Sequence, residues 1–321
     1  MGSELRRLLP GLGEVIAPDR HELDLLDSHK LCRIVRQVRP QLIVNAAAYT
    51  AVDAAEADKV NAHAINGEAP ALLAEEARKL GAALVHYSTD YIFDGSKNTP
   101  YDEADQANPL NVYGRTKLAG EEAIRGCAVA HLIFRTSWIY ATRGKNFLLT
   151  ILRLATERED LKIVCDQTGS PTRAADIAAA TFKILASIYE SRPDASAFGK
   201  VTGTYHMTAA GETTWYDFAK TILEQAASAS GELSWFVAAT RGRPFITQRV
   251  HPVTAEEYRS PTRRPAYSVL SNLRLTRTFG LALPTWRDQL QQCFALDHLA
   301  GPSPAPENPS ESAMFARKPI G

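Results

Sequence analysis

Short runs rich in β-branched and aromatic residues alternate with longer amphipathic stretches over most of this chain, and no other feature restricts its fold as much. GEVIAPD, QLIVNAAA, AALVHYSTD, AHLIFRTSW and LKIVCDQ read as strands. Between the first two, Leu31, Ile34, Val35 and Val38 recur at helical spacing behind Ser28, a residue type that caps helix N-termini, and Pro40 closes the segment. ALLAEEARKLG is a helix ending on Gly81 in the usual C′ position; VYGRTKLAGEEAIRG and NFLLTILRLATER supply two more. The unbroken apolar character of QLIVNAAA suits a strand covered on both faces. Strand–helix–strand units of this kind build a doubly wound, parallel, Rossmann-like α/β sheet.

With 321 residues, 45% of them hydrophobic, the chain has material for a large core and for a second, smaller lobe. Residues 1–170 read as a nucleotide-binding domain and 171–296 as a substrate lobe interleaved with the end of the sheet. In that lobe TRAADIAAATFKILASIYE and TTWYDFAKTILEQAASA read as helices around a strand at TYHMTAA, and the Arg-, Pro- and aromatic-rich stretch 232–290 suits a lid. Residues 297–321, with the Pro/Ser-rich GPSPAPENPSESA, are expected to be a disordered tail.

Charge narrows the partners. Lys+Arg and Asp+Glu are equal at 36 each, so nothing draws the chain generally to nucleic acid or to anionic membrane. No signal-peptide pattern and no run near the ~18 apolar residues of a membrane span is present, which places the expectation in the cytoplasm. Cys32, Cys127, Cys165 and Cys293 are scattered and read as reduced thiols; His21, His86 and His206 lack metal-ligand spacing and read as structural, so no metal is expected. Glu121 and Glu122, adjacent on a helix, face different ways and form no acid/base couple.

The pattern with the most chemistry in it is Tyr113-Gly-Arg-Thr-Lys117. Positions i and i+4 of a helix share a face, so a phenol and an ammonium can enter one pocket, where the cation favours phenolate and makes Tyr113 a usable proton donor near neutral pH. The same spacing occurs by chance on surface helices. Here it lies beside HYSTDYIF, with Thr89 closing a predicted strand, and strand C-termini are where open α/β sheets bind ligands.

Tyr113, Lys117 and Thr89 resemble the Thr/Ser-Tyr-Lys group of the extended short-chain dehydrogenase/reductases. IVNAAAYTAVDAAE, HYSTDYIFDG, PLNVYGRTKLAGE, FRTSWIY, NFLLTILRLA, DQTGSPT and TTWYDFA, in this order, closely resemble the dTDP-4-dehydrorhamnose reductase family within it, from about residue 2 to 290. The resemblance implies an NAD(P)H-dependent reduction of the C4 keto group of dTDP-4-dehydro-L-rhamnose to dTDP-L-rhamnose. It assigns Tyr113 as the acid toward the C4 oxygen, Lys117 to the nicotinamide ribose and to tuning Tyr113, and Thr89 as a second hydrogen bond to that oxygen. Asp90 would touch the sugar, Trp138 would pack on the sugar or nucleotide, Ala48, Tyr49 and Thr50 would line the cofactor, and Arg263 and Arg264 could hold the diphosphate. A homodimer is a candidate assembly. Other readings on the same scaffold are a non-catalytic regulatory subunit, like the methionine adenosyltransferase β subunit, and another sugar-nucleotide reductase or epimerase.

The chain departs from the family at its start. GSELRRLLPGLGEVIA resembles the helix after the glycine-rich, pyrophosphate-binding turn, with Gly2 as that motif's last glycine; the first strand is lacking. A central strand of ~5 apolar residues buries side chains worth roughly 1.5–3 kcal/mol each. Its absence leaves a slot with two open sheet edges, and the natural chain is therefore expected to extend upstream of Met1. Asp19 after the second recognisable strand suits the adenosine ribose, whereas Arg20 suits a 2′-phosphate; the expectation is NADPH, with NADH tolerated.

Overall fold

The computed structural model describes residues 1–191, 195–228, 233–295 and 313–317. Six strands make the main sheet: β1 (Glu14–Ile16), β2 (Leu42–Asn45), β3 (Ala83–Thr89), β4 (His131–Thr136), β5 (Gly203–His206) and β6 (Ala313–Arg317), in the spatial order β1-β6-β2-β3-β4-β5. β2 to β5 run parallel, each paired with the next. β6 is antiparallel to both of its neighbours, so β1 points the same way as β2 and all the parallel strands end on one edge.

β6 is the main departure from the sequence reading. The open slot expected beside β2 is not there: part of the expected tail fills that position. Met314 lies opposite Val44, and Phe315 opposite Ile43 on one side and Ile16 on the other. With side chains alternating across a strand, Met314 joins the core on one face with Leu42, Val44 and Phe134, while Phe315 joins the other face with Ile43, Leu84 and Ile133. The run AMFAR supplies two adjacent apolar residues, which is what a strand covered on both faces requires. The rest of the expected tail lies outside the described residues.

Helices cover both faces. α1 (Gly2–Leu8) packs on one face through Leu5, together with Ile177 and Ile184 of the long helix Ala174–Ser191. On the other face lie α2 (Ser28–Val38) through Leu31 and Val35, and α3 (Ala69–Leu80) through Leu73, Ala74 and Ala77. Asp27, not Ser28, caps α2: its side chain accepts from Lys30 N–H. Gly81 ends α3 in the left-handed conformation, φ 66°, as the sequence suggests.

LKIVCDQ forms a strand, Asp160–Val164, but outside the main sheet, in a parallel pair with Arg249–Val253. That pair belongs with a third core of Tyr140, Leu148, Ile151, Phe218, Ile222 and Trp286, the body of the smaller lobe. The lobe thus draws on Leu148 and Ile151, before residue 170, while helix Ala174–Ser191 packs on the main sheet, because the chain crosses between the two bodies more than once. Among the described residues no helix is long and apolar enough to cross a membrane.

Candidate active site

The shared edge of the parallel strands carries the chemistry. β3 ends on Thr89, whose hydroxyl accepts from Tyr91 N–H and donates to Asp90 Oδ1 at 3.0 Å. Ser137, just past β4, donates to Asp90 Oδ2 at 3.0 Å, and Ser268 adds a further hydrogen bond. Burial dominates over these donors and pushes the Asp90 carboxyl up to about 6.

That shift has a consequence for stability. Between an unfolded value of 3.8 and a folded value of about 6, the folded chain holds the proton and the unfolded chain does not. Stability therefore falls as pH rises through this window, by on the order of 3 kcal/mol at full ionisation. Asp90→Asn should remove the dependence. Denaturant unfolding at about pH 4 and about pH 8 should show the variant gaining on the wild type by this order as pH rises; an unchanged difference would remove Asp90 as its source.

α4 (Val112–Gly126) starts at Asn111, whose Oδ1 accepts from Gly114 N–H at 2.8 Å while its Nδ2 donates to the Arg263 carbonyl. A Cβ at Gly114 would stand 2.2 Å from Tyr91 O, and one at Gly120 2.2 Å from Asn66 O. Two glycines in a helix interior cost propensity; here Gly114 lets α4 approach Tyr91 just past β3, and Gly120 lets it approach Asn66. That approach sets Tyr113 edge-on to Tyr91, with ring centroids 5.9 Å apart at 79°. One turn on, Lys117 is 2% exposed; its Nζ donates to Tyr87 O at 2.6 Å and lies 3.1 Å from His86 Nε2.

Ala48, Tyr49 and Thr50 leave the end of β2 beside α4. Asn66, which sequence reasoning missed, clamps them: its Oδ1 accepts from Tyr49 N–H, and its Nδ2 donates to Tyr49 O and to Thr116 Oγ1. NAHAING carries no distinctive sequence signal; the structure has a π-helical turn there, at Ala64–Glu68. Ser137 and Ser268 were also missed, since a serine just past a strand or in an irregular segment is not distinctive.

Trp138 has a left-handed backbone, φ 46°, and stacks on Trp215 with centroids 3.5 Å apart and planes 5° apart; Phe147 packs on the other ring at 4.5 Å. A Cβ at Gly169 would meet the Trp138 ring at 2.4 Å, so that glycine seats the stack. Arg264 pairs with Asp53 at 2.8 Å, whereas the Arg263 side chain is exposed. Asp19 accepts from the N–H groups of His21 and Glu22 and shapes its own turn, with Arg20 near Asp24 at 3.5 Å, all on the surface after β1. Among the described residues no group of three His, Cys, Asp or Glu side chains is placed to hold a metal.

Thr89 thus stands at the end of β3, Tyr113 lies against Tyr91 just past it, and Lys117 Nζ reaches the Tyr87 carbonyl within the strand.

The sequence model of the RmlD substrate binding domain matches residues 1–298. A dTDP-4-dehydrorhamnose reductase of Burkholderia thailandensis is 47% identical over 293 residues, 91% of this chain and 94% of its own length. Among solved structures, the dTDP-4-dehydrorhamnose reductase of Clostridium acetobutylicum superposes with a TM-score of 0.79 at 34% identity, covering 92% of this chain and 94% of that one. The Bacillus anthracis enzyme, solved with NADP, gives 0.77 at 32% over the same shares. A match over nearly the whole chain shows that this chain belongs to the RmlD substrate binding domain family, that of the dTDP-4-dehydrorhamnose reductases.

Proposed function

We propose that the chain reduces the C4 carbonyl of dTDP-4-dehydro-L-rhamnose to dTDP-L-rhamnose in the cytoplasm, with NADPH as reductant. What supports the reading is Thr89 at the end of β3 with Tyr113 packed on Tyr91 just past it and Lys117 one turn on in α4, in a chain 47% identical to a reductase of that name. Tyr113 and Lys117 would hold the nicotinamide ribose, Ala48–Tyr49–Thr50 would line it, and Asp19 and Arg20 would meet the adenosine. When bound, the cofactor supplies hydride to C4.

The chain's own groups handle the proton and the sugar. Tyr113 gives its proton to the C4 oxygen. Thr89 has one O–H, now donated to Asp90; turning it to the substrate oxygen leaves Ser137 and Ser268 on the Asp90 carboxylate. The Trp138–Trp215 stack offers a flat apolar face to the sugar or thymine. Arg263, exposed, can reach a diphosphate directly, while Arg264 must first leave Asp53. Such remote contacts position the reacting carbon, so losing them lowers rate as well as affinity.

The test is NADPH consumption with dTDP-4-dehydro-L-rhamnose, coupled to chromatographic detection of dTDP-L-rhamnose. Turnover is expected with the nucleotide sugar and far less with the free sugar. A folded, cofactor-saturated protein that forms no dTDP-L-rhamnose would overturn the assignment.

A further inference from the structure

Hydroxyls from three segments of the chain close on one carboxyl past the end of β3. Asp90 is 2% exposed; Thr89 donates to its Oδ1 and Ser137 to its Oδ2, each at 3.0 Å, and Ser268 hydrogen-bonds it as well. Both serines are buried and fixed in place. Ser137 follows directly on β4, and Ser268 lies in a stretch pinned on two sides, its N–H donating to Thr168 O at 2.8 Å and Tyr101 N–H donating to Val269 O at 2.9 Å. Enclosed in this way, Asp90 reaches a substrate only through Thr89.

Counting hydrogens sets what Thr89 can offer. Its hydroxyl has one hydrogen and two lone pairs. The hydrogen goes to Asp90 and one lone pair takes Tyr91 N–H at 3.1 Å, which leaves a single lone pair. A C4 alcohol can donate to that lone pair; a C4 ketone has no hydrogen to give and cannot. Thr89 meets the ketone only by turning its hydrogen outward, and the Asp90 carboxylate then keeps the two serines alone in a place where burial already disfavours its charge. A protonated Asp90 removes the conflict. Its O–H donates to Thr89, Thr89 donates to the ketone oxygen, and both serines still find carboxyl lone pairs.

We propose that Asp90 is a positioning residue that takes up a proton as the ketone binds and directs it at Thr89 Oγ1, fixing the Thr89 hydroxyl as a donor to the C4 oxygen. This rests on the reductase reading and deepens it. The proton comes from water and returns to water when the alcohol leaves; it does not enter the product, whose new hydroxyl hydrogen comes from Tyr113. Taking one donor from the carboxylate and giving the acid an acceptor should raise its proton affinity about tenfold to a hundredfold, from about 6 in the resting chain to above neutrality. Tyr91, next in the chain, is pushed further up by burial and stays a phenol. His86 of β3, Tyr113 and Lys117 of α4, and Arg264 with its partner Asp53 are the other titratable or charged groups on the elements packed here.

The proton can be counted without turnover, because oxidised NADP and the ketone cannot react. Calorimetry of dTDP-4-dehydro-L-rhamnose binding to the NADP-saturated chain, at neutral pH in two buffers of different ionisation enthalpy, should show uptake of roughly half a proton or more. dTDP-L-rhamnose binding to the NADPH-saturated chain, equally unreactive, should show far less. The ketone's Kd should rise about tenfold or more from about pH 5, where Asp90 already holds its proton, to about pH 9, where one must be gained. Asp90→Asn has an amide that can donate to Thr89 at every pH, so its uptake should vanish and its Kd should lose this slope; every other titratable group is common to the two proteins. A wild type that binds the ketone without proton uptake, or an Asp90→Asn protein that keeps the slope, would overturn the proposal and leave the reductase reading standing. Failure of the ketone to bind would overturn both. If Asp90→Asn does not fold, the wild-type difference between ketone and alcohol still decides.

Discussion

Tyr113→Phe is expected to lower turnover by roughly 10²–10⁴-fold, the range for removing a general acid, while leaving folding and nucleotide-sugar KM close to wild type. The separation between rate and stability follows from the geometry. Tyr113 is half-buried, its ring lies edge-on to Tyr91 at 5.9 Å, and it packs with Tyr49, Ala55, Ala62 and Val112; a phenylalanine ring keeps all of these contacts. Only the hydroxyl is lost, and with it the proton for the C4 oxygen. Thr89 cannot replace it, because a threonine hydroxyl can hydrogen-bond the developing alkoxide but is too weak an acid to protonate it near neutral pH. Steady-state kcat and KM, with a melting curve as control, decide the matter. A folded Tyr113→Phe protein with near-normal kcat would take Tyr113 out of the mechanism.

The parts of this site that can be read from sequence are those in which spacing alone sets geometry. Tyr113 and Lys117 share a face of α4 because they are four residues apart, and Thr89 stands at the edge because an apolar run ends there. The parts that cannot be read depend on partners distant in the chain. Asn66 matters because a π-turn aims its amide at Tyr49 and Thr116. His86 reads as a structural histidine until Asn45 and Lys117 are seen on its two nitrogens. Arg264 reads as a diphosphate ligand, yet its guanidinium meets Asp53, far away in sequence.

The slot beside β2 shows the same limit on a larger scale. The occupant of that position cannot be read from its local sequence. AMFAR is too short to show a period and follows a Pro/Ser-rich stretch, so nothing in its neighbourhood marks it as a strand; only the two open edges, contributed by residues near the other end of the chain, give it a place.

Because β6 is central, ending the chain after Ser312 should destabilise it severely. Phe315 is fully buried against Ile43, Leu84 and Ile133, and Met314 lies on the opposite face with Val44 and Phe134. Truncating Phe315 to Ala alone should cost about 3–5 kcal/mol, a large part of the ~5–15 kcal/mol by which a domain is stable. Removing the whole strand also strips the ladder partners from Glu14–Ile16 and Leu42–Asn45, and two bare edges in mid-sheet invite pairing between chains. Denaturant unfolding should therefore show a much lower midpoint for the shortened chain, with aggregation at raised protein concentration, and Phe315→Asp should approach the same state by placing a charge between the two layers. Lys162→Ala, on an exposed position of the outlying strand Asp160–Val164, is the control and should leave the midpoint in place. A midpoint unchanged by both the truncation and Phe315→Asp would show that the slot is held by something other than residues 313–317.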